Sequence, residues 1–227
     1  MTGGTDRKGS DRCRLQFFGE GRGFRVVWLL EEMGLPYALR PVDLLAGAAN
    51  DPEFLTINPA GFIPALVNDD VTIVESIAIM EYLVARHGPT PLAPDRADPS
   101  FPLYQQFLHL GEAGLMGFLF FVFADRVLAP EAERNSWTGK FAEDLFKSRQ
   151  ALVSRQLARA PYMAGDSFTA ADISVTYALE FGQRTCDLTL DEAVWDYVAR
   201  TTAREGYLRA MDACKDTKAW VASLAAQ

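Results

Sequence analysis

The tightest constraint on this chain lies between Asn58 and Arg86, where a turn, a proline-led strand, a hairpin and a helix start follow one another with no residues to spare. Asn58-Pro59-Ala60-Gly61 is turn chemistry, because proline fixes φ and glycine accepts positive φ. Phe62 to Val67 is a short apolar run carrying Pro64 near its beginning. Proline cannot donate a ladder hydrogen bond, so it belongs at a strand's first residue or edge. Asn68-Asp69-Asp70 supplies a hairpin turn, and Val71-Thr72-Ile73-Val74 reads as the returning strand. Glu75-Ser76 then opens a helix whose apolar residues Ile77, Ile79, Met80, Leu83 and Val84 recur at helical spacing. A helix N-terminus attracts anions, and this one adds a carboxylate and a hydroxyl. Taken singly, Pro64 need only shape a strand and Glu75-Ser76 need only start a helix; together, at this spacing, they favour a ligand site.

Upstream, Arg14 to Phe18 reads as a first strand and Gly19-Glu20-Gly21-Arg22-Gly23 as a glycine-rich turn. Phe24, Val26, Val27, Leu29, Leu30 and Met33 give the apolar surface of a helix that Gly34 ends, with Pro36 just beyond. Tyr37 to Val42 is a second strand, and Asp51 to Leu55 a short helical turn. The order strand, helix, strand, helical turn, hairpin, helix resembles the thioredoxin-like fold. Gly88 to Pro94 packs breakers closely enough to stop a helix and stiffen a linker. After it β signals vanish, and helical patterns occupy 101–128, 133–159, 170–181, 190–197 and 207–225. The expected organisation is a disordered leader over 1–11, an α/β domain over 12–88, a linker over 89–98 and an all-α domain over 99–227. Within the last, Thr169 and Asp172 are spaced as a capping box, with Phe168 and Ile173 placed as a hydrophobic staple.

Composition removes several classes of function. The net charge of −8 argues against a nucleic-acid partner, which needs clustered Lys and Arg. The longest apolar candidate is read as Leu115 to Val122, too short to span a bilayer, so no membrane is expected. Three scattered cysteines, Cys13, Cys186 and Cys214, suit a reducing cytoplasm, and with no Cys/His cluster no metal is expected.

With the two halves in this order, nearly the whole chain after the leader is similar to the soluble, or cytosolic, glutathione transferase family, of the bacterial type. The resemblance implies that the fold is a thioredoxin-like glutathione-binding domain followed by an all-α domain, and that glutathione is the co-substrate. It implies a cis bond before Pro64, with the backbone of Ile63 pairing the cysteinyl part of glutathione. Glu75 would face the ligand's amine, and Ser76 its γ-glutamyl carboxylate. It also implies a homodimer, for which Phe54 is a candidate interface aromatic, core packing being the alternative. The implied chemistry is activation of the thiol for attack on a hydrophobic electrophile, by conjugation, dehalogenation, ether cleavage or isomerisation.

One element of the family pattern is missing. The family activates the thiol with a Tyr, Ser or Cys in the first strand-helix turn; here the matching position is Gly21, and 19–25 hold no hydroxyl, thiol or phenol. Three explanations compete. Backbone N–H groups around Gly21, with the Arg22 guanidinium, could hold the thiolate, since a helix N-terminus and a nearby Arg both depress a thiol pKa. Tyr104 or His109 could reach over from the helical half. Activation could also be lost, leaving a non-catalytic binding or protein-interaction module, and Arg22 itself could be no more than a solvated charge. The segment 41–57 offers no Lys, His or Arg for the glycyl carboxylate, only Asn50, so Arg22 is a candidate for part of that task as well.

The second substrate is expected against the first helix of the helical half. Its pocket candidates are Tyr104, Leu108, His109, Glu112 and Met116, with Gly111, Gly114 and Gly117 narrowing the helix. Much of this stripe is expected to be core. His109 and Glu112, three apart, are expected to share a face, as a surface pair or as an acid or base.

Overall fold

The computed structural model describes residues 13–17, 21–42, 51–69 and 71–215. The expected leader, the candidate Asn50 and the end of the last expected helix lie outside the described residues. Among the described residues four strands, β1 (Cys13–Phe17), β2 (Tyr37–Pro41), β3 (Ala65–Asn68) and β4 (Val71–Val74), form one sheet in the order β2-β1-β3-β4. β1 and β2 are parallel, and their crossover is helix α1 (Gly23–Met33); the other two pairings are antiparallel. Leu15 lies across from Leu39 on one side and Leu66 on the other, which fixes the register of the core face.

The proline-led strand of the apolar run Phe62 to Val67 begins one residue after Pro64, at Ala65. Asn58 Nδ2 donates to the carbonyl of Phe62 at 2.6 Å, and Pro64, after a cis bond from Ile63, has no N–H to give, so pairing starts at Ala65. Asn58 Oδ1 also accepts from the N–H of Ala60 at 3.1 Å, closing the turn that Gly61 completes at φ 68°. Helix α2 (Pro52–Ile57) puts Phe54 wholly inside, on the second face of the sheet with Val42 and Ala65. The candidate interface aromatic is therefore core: the N-cap bond from Phe54 N–H to Asp51 at 2.9 Å turns its ring under the sheet.

α1 is buried from Gly23 to Leu30, because it is walled by the sheet and α3 (Ser76–His87) on one side and by helices of the second half on the other. In that half α4 (Phe101–His109), a π-helical stretch Leu110–Met116, α5 (Gly117–Phe123) and a second π-helical stretch Ala124–Leu128 continue one another. The resulting 28-residue helix is long and apolar enough to cross a membrane by length and composition, which corrects the shorter run expected from sequence. It packs against α6 (Trp137–Leu157) and α7 (Ala170–Cys186), and Ser174 Oγ donates to its Leu108 carbonyl at 2.7 Å, as suits the central helix of the helical half. Helices α8 (Glu192–Thr202) and α9 (Glu205–Ala213) complete the described part.

Two details carry energetic weight. A Cβ on Gly111 would lie 2.3 Å from Ser174 Oγ and 2.5 Å from the Ser174 carbonyl carbon, so this glycine admits α7 rather than opening a pocket. Asp172 forms the expected capping box and accepts, inside the protein, from the N–H groups of Thr169 and Met163 at 2.8 Å each and from Tyr197 Oη at 2.9 Å. Phe168 packs on Trp28 with ring centres 5.8 Å apart, tying that box to α1.

Gly111→Ala is expected to cost about 3 kcal/mol or more by overpacking against backbone. A calorimetric melt should fall by about 6–12 °C, given the size of the chain. Burial pushes the Asp172 carboxyl up to about 6, against its four hydrogen-bond donors. The folded state then holds a proton that the unfolded state releases near about 3.9, so this group's contribution falls as pH rises from 4 to 6. Relative to Asp172→Asn, the wild type should lose up to about 3 kcal/mol across that window in urea titrations.

Candidate functional site

Arg22 and Arg25, three residues apart, project from the first turn of α1 toward one carboxylate. Arg22 Nε donates to Glu112 Oε1 at 2.7 Å, and Arg25 Nη1 donates to Glu112 Oε2 at 2.6 Å. Arg25 Nη1 also donates to Ser76 Oγ at 3.2 Å. Glu112 comes from the π-helical stretch of the helical half and Ser76 is the first residue of α3, so three elements meet in one network.

Burial sets the electrostatics. Arg25 is fully enclosed, and its Cζ lies 4.5 Å over the Tyr177 ring. Burial pushes its guanidinium below the ordinary value, and Glu112 and Tyr177 pull the other way. For Glu112, burial alone would raise the carboxyl; the charges and hydrogen bonds of Arg25 and Arg22 outweigh it and hold the group below its ordinary value. Arg22 stays about a third exposed, with its Cζ 5.8 Å from the centre of the Phe120 ring. Beside the network Glu75 sits exposed at φ 72° and ψ 116°, a backbone setting uncommon for any residue but glycine.

The sequence candidates divide sharply. Gly21 and Arg22 stand at the N-terminus of α1, where the Gly21 carbonyl accepts from Phe24 N–H at 2.9 Å. Ile63 is half-buried and Pro64 buried, ahead of β3; Ser76 is buried at the start of α3. Of the pocket candidates, only Glu112 reaches Arg22. Leu108 and Met116 are core, wedged between helices. Tyr104 is 2% exposed, with a hydroxyl that has no partner and a pKa raised by burial and by Glu81. It borders a cavity of about 640 Å³ with Val84, Pro89, Ala93 and Phe101, beside the linker. His109 is more than half exposed, its Nε2 3.4 Å from Glu81.

The expectation that His109 and Glu112 share a face is thus corrected. The π turn closes i→i+5 rather than i→i+4, so residues three apart are rotated further from one another. His109 goes to α3 and Glu112 to α1. The exposed apolar surface near Arg22 is supplied instead by Phe120, 44% exposed, with Phe121 in edge contact.

Sequence reasoning missed Arg25. It interrupts the otherwise apolar run Phe24 to Leu30, and Glu112 is the one charged residue between Leu110 and Val122. Two lone opposite charges in two buried helices were a signal that they meet.

Glu112→Ala should cost about 3–5 kcal/mol, because it leaves the buried Arg25 without its counter-ion. The stability that Glu112 brings is fully present above its unfolded pKa of about 4.3 and is lost as pH falls through its depressed folded value. Urea titrations of wild type and variant should therefore converge toward pH 3.

A model described as "Glutathione S-transferase, N-terminal domain" matches residues 15–85. Glutathione S-transferase 3 of Schizosaccharomyces pombe is 30% identical over 183 residues, covering 75% of this chain and 74% of that protein. Glutathione S-transferase 3 of Zea mays is 36% identical over 155 residues, covering 65% of this chain and 68% of that protein. Among solved structures, a ternary complex of BphK, a bacterial GST, superposes with a TM-score of 0.78 at 26% identity, covering 89% of this chain and 99% of that one.

Proposed function

The chain belongs to the glutathione S-transferase family, and from that premise we propose that it binds glutathione across the N-termini of α1 and α3 and activates the thiol for attack on a hydrophobic electrophile. The reaction is conjugation, dehalogenation, ether cleavage or isomerisation. In this reading the backbone of Ile63 pairs with the cysteinyl unit next to Pro64, Glu75 faces the free amine, and Ser76 with the α3 N-terminus faces the γ-glutamyl carboxylate. Gly21 and Arg22 receive the thiolate, and Asn50 with Arg22 the glycyl carboxylate. A cytosolic homodimer, divided at the linker over 89–98, completes the reading.

One observation carries it: the chain of contacts Arg22–Glu112–Arg25–Ser76 joins two helix N-termini and holds two guanidinium groups against one carboxylate. The surplus positive charge lies where a hydroxyl donor is absent. A cation and helix N–H groups lower a thiol pKa without any side chain at Gly21. The thiol proton passes to solvent, because both Glu112 oxygens already accept from Arg22 and Arg25. The thiolate then attacks an electrophile lying on Phe120 and Phe121, with Leu108 and Met116 behind that surface as core.

Retention on immobilised glutathione and ultraviolet titration of the bound thiolate test this. The bound thiol should titrate about two units below the ~8.5 of a free cysteine thiol. Arg22→Ala should raise that value by about one unit, about a threefold loss of thiolate at pH 7. Binding with an unchanged thiol pKa would leave only a binding module.

A further inference from the structure

We propose that the cavity between α3, the linker and the start of α4 binds an organic amine, an ammonium group carried on an apolar body. None of its walls belongs to the network at the start of α1, so the inference stands apart from the glutathione reading and concerns a second ligand.

The cavity holds about 640 Å³, within the usual range of small-molecule sites. Val84, Pro89 and Ala93 give it apolar walls, and the ring of half-buried Phe101 stands beside that of Tyr104, their centres 6.2 Å apart. Aromatic rings are negative on their faces and attract cations. Three charged residues line the cavity: Glu81, Asp95 and Arg96. Asp95 and Arg96 are neighbours in the chain, both exposed, and offset one another in charge, which leaves the carboxylate of Glu81.

That carboxylate is poorly served. Gln105 Nε2 and His109 Nε2 both approach the same oxygen, Oε1, at a long 3.4 Å, and Oε2 has no partner among the described residues. Burial, and after it the charge of Glu81, raises the Tyr104 pKa, so the phenol lies within the field of that carboxylate. The Tyr104 hydroxyl is itself buried without a partner, although nearly every buried polar group has one. A carboxylate oxygen and a phenol oxygen both accept hydrogen bonds, and an ammonium group has donors only. An anionic ligand would meet Glu81 with like charge, and a neutral one would leave that charge unmatched. With 38% of its side chain exposed, Glu81 can swing onto an entering ammonium and draw it toward the phenol.

Tryptamine, the neutral tryptophol and the anion indoleacetate share one ring system and differ in the charge they carry. Calorimetric titration of the full chain should show tryptamine preferred about tenfold over tryptophol, with indoleacetate weaker still, as a charge-assisted hydrogen bond gives. Glu81→Gln should bring the ratio of tryptamine to tryptophol below about twofold, with tryptophol unchanged. Tyr104→Phe keeps the ring and should weaken tryptamine about threefold. Ala85→Trp, at an exposed position of α3 in the cavity wall, should abolish tryptamine binding by filling the space. Four results would each overturn the inference: a wild type that takes the three probes alike or prefers the anion, a tenfold ratio kept in Glu81→Gln, tryptamine affinity untouched by Tyr104→Phe, and tryptamine still bound by Ala85→Trp.

Discussion

An arginine inside a helix that is apolar on every side can be kept only if another element neutralises it. Arg25 is such a residue, set among Phe24, Val26, Val27 and Trp28 and removed entirely from solvent. Taking a charge out of water costs several kcal/mol, and the cost is offset only by a well-placed partner. The partner is Glu112 at 2.6 Å, and it belongs to the other half of the molecule. Apolar contact alone is non-directional and would let α1 and the central helix slide by fractions of a turn. The ion pair admits one register.

The opposite end of α1 is tied in the same way. Arg204 gives two bonds of 2.8 Å to Glu32 and stacks over Phe168, while Arg209 reaches Glu31 at 2.8 Å. Between the two charged ends, Trp28 packs edge-on against Tyr207 with ring centres 5.0 Å apart. α1 is thus a wall shared by both halves, pinned at each end by charge and packed along its middle by aromatic rings. The position of Arg22 follows from that pinning, because its own partner is the same Glu112. The unusual backbone of Glu75 has a similar support, since Ser76 beside it is held by Arg25. A positive φ at a non-glycine residue costs of order 1–3 kcal/mol and persists only where neighbours over-determine it.

Much of the scaffold could be read from residues that act locally. Gly34 ends α1 at φ 64°, Asp69 turns the hairpin at φ 51°, and Thr169 with Asp172 starts α7, all at the places their chemistry requires. These signals act within a few residues of chain. What could not be read were contacts between distant elements. Phe54 looked available because nothing local says which face of the sheet α2 covers. Much of the central helix's stripe reads as core, but which of its residues would face a pocket does not, because periodicity does not tell a core face from a cleft. The π turn at Leu110–Met116 has no motif, yet it decides that Glu112 meets α1 and His109 meets α3. Arg25 and Glu112 were visible as isolated charges, but only pairing them, 87 residues apart, reveals the network at the start of α1.

The missing hydroxyl at position 21 connects these observations. A serine or tyrosine there would be a neutral donor and would ask nothing of the rest of the fold. Charge asks more, since two guanidinium groups in one helical turn repel, and Arg22 indeed weakens the hold of Arg25 on its proton. One carboxylate set between them removes that repulsion while leaving a single positive charge in surplus. A second acid would cancel the surplus, and none would leave a buried cation unpaired. Glu112 is therefore the term that reconciles a charged helix start with a buried helix. In the proposed reading it also makes the helical half a part of the site rather than a cover for it.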